Sequence, residues 1–287
     1  MGFDTAYEAI TEESDDQRWA FGTGFADPLA GVDTAVPDGV SGADLGAYCL
    51  MLGDDALIMS HRLQEWLARA PELEEETALA NIALDLLGQA RLLLTRAGYV
   101  DGSGRTEDDL AFGRGASEFR NVRLAEVRDA DFGGLIARLL VFSTWRLALL
   151  DRLRGSADPV LAAIAARAVL ELTYHRDYAA QWLLRLALGT SYSRERMTAG
   201  LAEVAPLTAE LFADSDLELR LSARVAVRPA ELRAEFDTVL AEVLGRAGLA
   251  LPDAPARQAA RGVPTDQLAP LLDELQSVAR AHPGATW

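Results

Sequence analysis

The sequence predicts an all-α protein: a four-helix bundle followed by shorter helices. Three observations predict it. Leu, Ala, Glu and Arg dominate the chain while aromatic residues are only 7%, a mix that favours helix over sheet. Four long apolar segments of 23 to 30 residues carry helix start and stop signals. Their links are short, long and short, so two helical hairpins are joined by one crossover, which is the ferritin-like arrangement. With 287 residues and 50% hydrophobic side chains, the chain is expected to build one helical domain over 41–287.

Residues 1–40 mix acids, Gly and Pro without a period and are expected to form an extension, partly disordered or packed on the body or a partner. Trp19, Phe21 and Phe25 are unusual in such an arm. The first helix starts at Ser41-Gly-Ala-Asp44, a capping-box-like entry with Asp in place of Glu or Gln, and is expected to end near Arg69. The second is expected over about 72–96, with Pro71 near its start, where a missing N–H costs little. A loop over about 98–128 forms the crossover, and the third helix covers about 132–154. The fourth has Asp158 as N-cap, Pro159 at the first helical position and Gly189 just past Leu188. The bundle thus spans about 41–189, and accessory helices over about 193–212, 229–245 and 264–281 fill 190–287.

The formal net charge is -17. This argues against nucleic acid and anionic membranes, which need clustered cations. The single cysteine, Cys49, allows no disulfide framework and suits a reducing cytoplasm. The acidic N-terminus lacks a secretory signal pattern, and no uncharged apolar run reaches the roughly 18 residues of a membrane span.

The second helix carries a polar stripe, Thr77, Asn81, Asp85 and Gly88, on an otherwise apolar rod. Asp85-Leu-Leu-Gly88 stands where a di-iron bundle carries Glu-x-x-His. The three histidines are preceded at three residues by Ile58, Leu172 and Ala279, so that motif is absent from the chain. The fourth helix keeps a trace of it in Glu171, Tyr174 and His175, with Tyr174 at the place His would need. Glu171 and His175 are expected to form a buried pair with each other. On the third helix the inward polar position is read as Ser143, a poor iron ligand. Asp54-Asp55 reads as a solvated pair or a cation or partner contact, and Glu74-Glu75-Glu76 as charge complementing the helix dipole. Asp85, flanked by apolar residues, is expected to pair with an Arg from another helix. The degenerate site candidates are therefore Asp54, Asp85, Gly88, Ser143, Glu171, Tyr174 and His175, with no metal, cofactor or catalytic residue expected in this chain. Phosphate-binding glycine loops and nucleophile elbows are also missing.

The motifs LGDDALI (52–58), RLQEW (62–66), APELEEETALANIALDLLGQARLLL (70–94), ELTYH (171–175), TAELF (208–212) and PGATW (283–287) resemble the C subunits of bacterial phenylacetyl-CoA epoxidase, over roughly 45–287. The resemblance implies a ferritin-like, non-catalytic structural subunit that pairs with a related catalytic A subunit holding the di-iron centre. It also implies a small B subunit, an NADPH-dependent reductase, a ring epoxide of phenylacetyl-CoA as product, and self-association when isolated. Two other readings stand beside it. One is a stand-alone acyl-CoA-binding protein using Arg91, Arg138 and Arg146. The other is an independent di-metal oxygenase with Asp54, Asp85, Glu171 and His175 as atypical ligands.

Overall fold

A computed structural model describes residues 29–255, 261–283 and 285. The chain divides into two units, Met1–Gly31 and Val32–Trp287. Of the first, only a turn at 29–31 is described, and Trp19, Phe21 and Phe25 lie outside the described residues. The rest of the expected extension, 32–40, is tied down within the second unit. Arg96 donates to the Thr34 carbonyl at 2.6 Å and Arg224 to the Asp38 carbonyl at 2.5 Å.

The described residues contain no strand. Four long helices make the bundle: α1 (Gly42–Gln64), α2 (Leu73–Val100), α5 (Phe132–Leu153) and α6 (Pro159–Leu188). The 101–131 crossover holds two short helices, α3 (Glu107–Phe112) and α4 (Arg123–Glu126). The C-terminal part adds α7 (Ser191–Val204), α8 (Asp216–Leu221), α9 (Arg233–Arg246), α10 (Leu268–Leu275) and α11 (Ser277–Ala281). α1 packs on α2, α5 on α6, and α2 on α6, with α7 laid against α5.

The caps explain the boundaries. Ser41 accepts from the Asp44 amide at 3.3 Å, but the Asp44 carboxylate turns to Arg220, so the box is not closed. α1 stops at Gln64 rather than near Arg69, and 65–70 form turns. α2 runs four residues past the expected end at Arg96, because Arg96 and Ala97 are buried there. Asp158 accepts from the Leu161 amide at 2.8 Å and also pairs with Arg96, so the cap of α6 is held by the end of α2. Gly189 ends α6 without a left-handed φ. A Cβ there would lie 2.9 Å from the Arg185 carbonyl, so close approach excludes a side chain.

α5 is the axis of the molecule. Every residue from Gly133 to Leu150 is buried, because α1 and α6 flank it and the C-terminal elements cover it. At Gly200 on α7 a Cβ would sit 2.8 Å from Gly134 Cα, so the two backbones touch only because residue 200 is glycine. Trp145 closes this side by donating to the Leu211 carbonyl at 3.0 Å.

The expected accessory helices are shortened where proline intervenes. Pro206 turns 205–212 into a 3₁₀ helix, since it supplies no amide to an α-helical ladder. Pro229 likewise opens a 3₁₀ turn before α9, and the last expected helix divides into α10 and α11. α8, with a full Ser215–Glu218 capping box, falls between the expected accessory helices, its apolar run being short. α2 and α5 are long and apolar enough to cross a membrane even though neither is free of charge, yet the apolar eighteen-residue core of α5 lies wholly inside the protein.

Candidate functional site

α2 and α6 meet in a polar seam. Asp85 and Gln89 lie one turn apart on α2, and Glu171 and His175 one turn apart on α6. His175 donates through Nε2 to Asp85 at 3.0 Å, and Gln89 donates through Nε2 to Glu171 at 3.0 Å. The two rungs match because the helices run antiparallel. Glu171 is also held by Arg167 at 3.0 Å on its own helix.

The seam continues inward to Arg146 on α5. Its Nε donates to Gln89 Oε1 at 3.1 Å and its Nη1 to the Leu52 carbonyl of α1 at 3.3 Å, with the Asp55 carboxylate at 4.0 Å. The guanidinium is wholly buried. It sits where side chains of α1, α2 and α5 converge, and Gln89 alone separates it from Glu171 of α6. Burial pushes its proton affinity down to a pKa of about 10, against the pull of Asp55, and it remains a cation at neutral pH. A fixed cation among the four helices opposes binding of a second one by like-charge repulsion in a weakly screening interior. The donors around it are an amide, a backbone carbonyl and carboxylates already engaged. This set does not suit a pair of iron ions, which need free carboxylates and imidazoles.

Several expected positions are corrected. The Thr77, Asn81 and Gly88 stripe is exposed and faces outward; the inward polar residue of α2 is Gln89. Asp85 pairs with His175 and not with an Arg, and Glu171 and His175 do not pair with each other although they share a face. Each reaches a different residue of α2. Ser143 is buried but donates to the Leu139 carbonyl of its own helix at 2.6 Å, so Arg146 is the inward polar group of α5. Tyr174 is half exposed, beside Tyr178 on the outer surface.

Asp54 and Asp55 are not solvated. Both are fully buried and clamp the crossover to α1. Asp54 receives Arg114 at 2.5 and 3.0 Å and the Arg120 amide at 2.9 Å. Burial outweighs these bonds and moves its pKa upward. Asp55 accepts from the Val122 amide at 2.8 Å and from Arg261. Thus Asp54 lies with the loop, apart from the seam that joins Asp85, Glu171 and His175. Among the described residues the one tight group of possible metal donors is Glu72, Glu74 and Glu75, within 4.8 Å of one another at the exposed start of α2.

Sequence reasoning missed Gln89, Arg114, Asp129 and Arg261. It also took Arg138 and Arg146 for possible phosphate contacts. Both are wholly buried, and Arg138 is held by Asp129 at 2.8 and 2.5 Å. A usable signal existed: two arginines inside an otherwise apolar helix must be buried, and a buried cation needs partners.

Residues 33–287 match the family described as phenylacetic acid catabolic protein. The chain is also 42% identical over 246 residues to the C subunit of the 1,2-phenylacetyl-CoA epoxidase of Escherichia coli (strain K12), covering 85% of this chain and 99% of that one. The chain belongs to the phenylacetic acid catabolic protein family.

Proposed function

We propose that this chain is the non-catalytic scaffold of a multicomponent oxygenase that epoxidises the aromatic ring of phenylacetyl-CoA in the cytoplasm. Its partners on this reading are a ferritin-like catalytic A subunit that holds the di-iron centre, a small B subunit and an NADPH-dependent reductase. The E. coli relative, itself one subunit of a phenylacetyl-CoA epoxidase, supports the complex and the substrate. The observation that carries the scaffold role is Arg146, whose guanidinium joins Gln89 and the Leu52 carbonyl in the bundle interior. A bundle centred on a guanidinium keeps its shape without a metal. It therefore offers rigid helical faces against which the catalytic bundle is held, and no step of the oxygenation is assigned to its residues.

The acyl-CoA-binding reading loses Arg138 and Arg146, which are buried, and keeps only Arg91, exposed and paired with Glu107 at 3.1 Å. The independent-oxygenase reading loses its convergent ligands, because Asp54 is engaged with Arg114 away from Asp85 and His175. The test is a tagged pull-down of this chain from its host grown on phenylacetate, with iron and phenylacetyl-CoA epoxidation assayed on the eluate. A second, iron-bearing subunit in fixed ratio, whose removal abolishes activity, is expected. A chain that elutes alone contradicts the scaffold role.

A further inference from the structure

Four consecutive residues of the crossover, 120–123, each give an N–H to a different buried carboxylate. The Arg120 amide donates to Asp54 at 2.9 Å, the Asn121 side chain to Glu126 at 2.8 Å, the Val122 amide to Asp55 at 2.8 Å and the Arg123 amide to Glu210 at 3.2 Å. Asp54 and Asp55 come from α1, Glu126 from α4 and Glu210 from the 205–212 helix. One short stretch of chain therefore ties three parts of the molecule together. The stretch 261–267 closes over it. Arg261 Nε donates to the Arg120 carbonyl at 3.1 Å and Arg123 Nε to the Val263 carbonyl at 3.0 Å. Thr265 gives its amide and its hydroxyl to Glu126 at 2.7 and 2.6 Å.

The four carboxylates are not held equally. Asp54 takes two Arg114 nitrogens besides the Arg120 amide, and Asp55 takes Arg261 besides the Val122 amide. Glu126 accepts from Asn121 and twice from Thr265. Glu210 accepts the Arg123 amide through Oε2, while its Oε1 is buried and has no hydrogen-bond partner among the described residues. A buried carboxylate keeps its charge only when donors replace the lost water. Glu210 is the member whose charge is least supported. With a proton on Oε1 it still accepts the Arg123 amide through Oε2. Without that proton it leaves charge on a bare buried oxygen.

The groups facing Glu210 do not reverse this. Burial opposes the anion most and Asp55 opposes it as well, against the Arg123 amide and the guanidinium groups of Arg261 and Arg123, and the carboxyl is pushed up to a pKa of about 7. Glu218 of α8 also draws on Arg261 and so competes for that cation. On the other elements packed against 205–212, Glu203 of α7 and Glu231 are exposed.

We propose that Glu210 is a proton-operated latch on the crossover: protonated, it holds the 205–212 helix to residues 120–123, and its ionisation makes those residues open locally while the four-helix bundle stays folded. The latch is independent of the scaffold reading. In the opened segment Glu210 meets water and returns to the ordinary carboxyl value of 4.5. Its proton then favours the closed state fully below about pH 4.5, and that preference is lost as pH rises to about 7. Between about pH 5.5 and about pH 8 the open population should grow about 25-fold.

Hydrogen–deuterium exchange of the full-length chain, read by mass spectrometry at those two pH values and corrected for the intrinsic rate, tests this. A peptide over 118–128 reports the latch and one over 138–148 reports the buried core of α5. The crossover amides are expected to gain about 25-fold in opening at the higher pH. The α5 amides should stay at least about 10-fold better protected there, since they exchange only through global unfolding. Glu210→Gln keeps an acceptor for Arg123 without the charge, and should cut the crossover gain to about 3-fold or less. Glu218→Gln removes the neighbouring charge and should leave most of the gain. Four results overturn the proposal: a gain below about 3-fold in the parent chain, crossover amides that exchange at the α5 rate at both pH values, a gain that survives Glu210→Gln, or one that disappears with Glu218→Gln instead. The first two are read on the parent chain and need no variant to fold.

Discussion

Arg146 and Gln89 are joined across the bundle interior: the guanidinium Nε donates to the amide oxygen at 3.1 Å, and the same amide donates onward to Glu171 at 3.0 Å. One neutral side chain thus links a buried cation on α5 to a carboxylate on α6. The arrangement orients every group in the line and leaves no free carboxylate facing inward. Arg146→Ala should therefore destabilise the chain by about 3–5 kcal/mol, the range for removing one member of a buried charged network, and Arg146→Met, which keeps most of the volume, should cost less. Urea unfolding of both variants measures this. A loss below about 1 kcal/mol for Arg146→Ala would show that the seam does not hold the bundle.

Asp54 is one of two buried carboxylates that clamp the crossover to α1. Asp54 gathers Arg114 and the Arg120 amide from a loop some sixty residues away in sequence. Asp54→Ala strands the Arg114 guanidinium, which is 5% exposed, and should cost about 3–5 kcal/mol. Limited proteolysis should then cut first within 101–131. Cleavage elsewhere, with the crossover still protected, would contradict the clamp.

How far the sequence foretold this depended on where the controlling interactions lie. α6 was legible to the residue, because Asp158, Pro159 and Gly189 act locally. The four-helix plan and the crossover were legible from segment and link lengths. The end of α1 was not, since nothing local breaks the helix before Pro71. The inward faces were legible only in part. A stripe of Thr77, Asn81, Asp85 and Gly88 marks a face, but which face turns inward is settled by neighbours, and α2 buries Gln89 instead. Asp54 and Asp55 looked solvated because their partners, Arg114, Val122 and Arg261, are brought to them only by the fold.

Glu210 gives a pH signature. It is buried against the Arg123 amide, and burial pushes its pKa up to about 7 from 4.5. The folded chain therefore binds this proton more tightly than the unfolded one. The stabilisation from that proton is fully present below about pH 4.5 and is lost as pH rises towards 7. The shift corresponds to roughly 3 kcal/mol at most. Glu210→Gln removes the burial cost of the charge, so it should raise the melting temperature relative to the parent at about pH 8 and lose that advantage at about pH 5. An equal effect at both pH values would show that Glu210 does not titrate in this window.

Gly88→Ala should stabilise the isolated chain by about 0.5–1 kcal/mol, because the helix gains propensity and the new Cβ meets open space. Denaturant unfolding of the free chain reads it directly. Destabilisation would mean that the glycine serves packing within this chain.

The most direct test of the central claim is iron loading of the isolated chain. The purified protein is incubated anaerobically with ferrous ion, desalted and assayed for bound metal, with its melting temperature recorded. A bundle whose interior is held by Arg146 should retain well under one iron per chain and melt unchanged. Retention of about two irons per chain, the di-iron complement of the ferritin-like plan, with a raised melting temperature, would contradict the account.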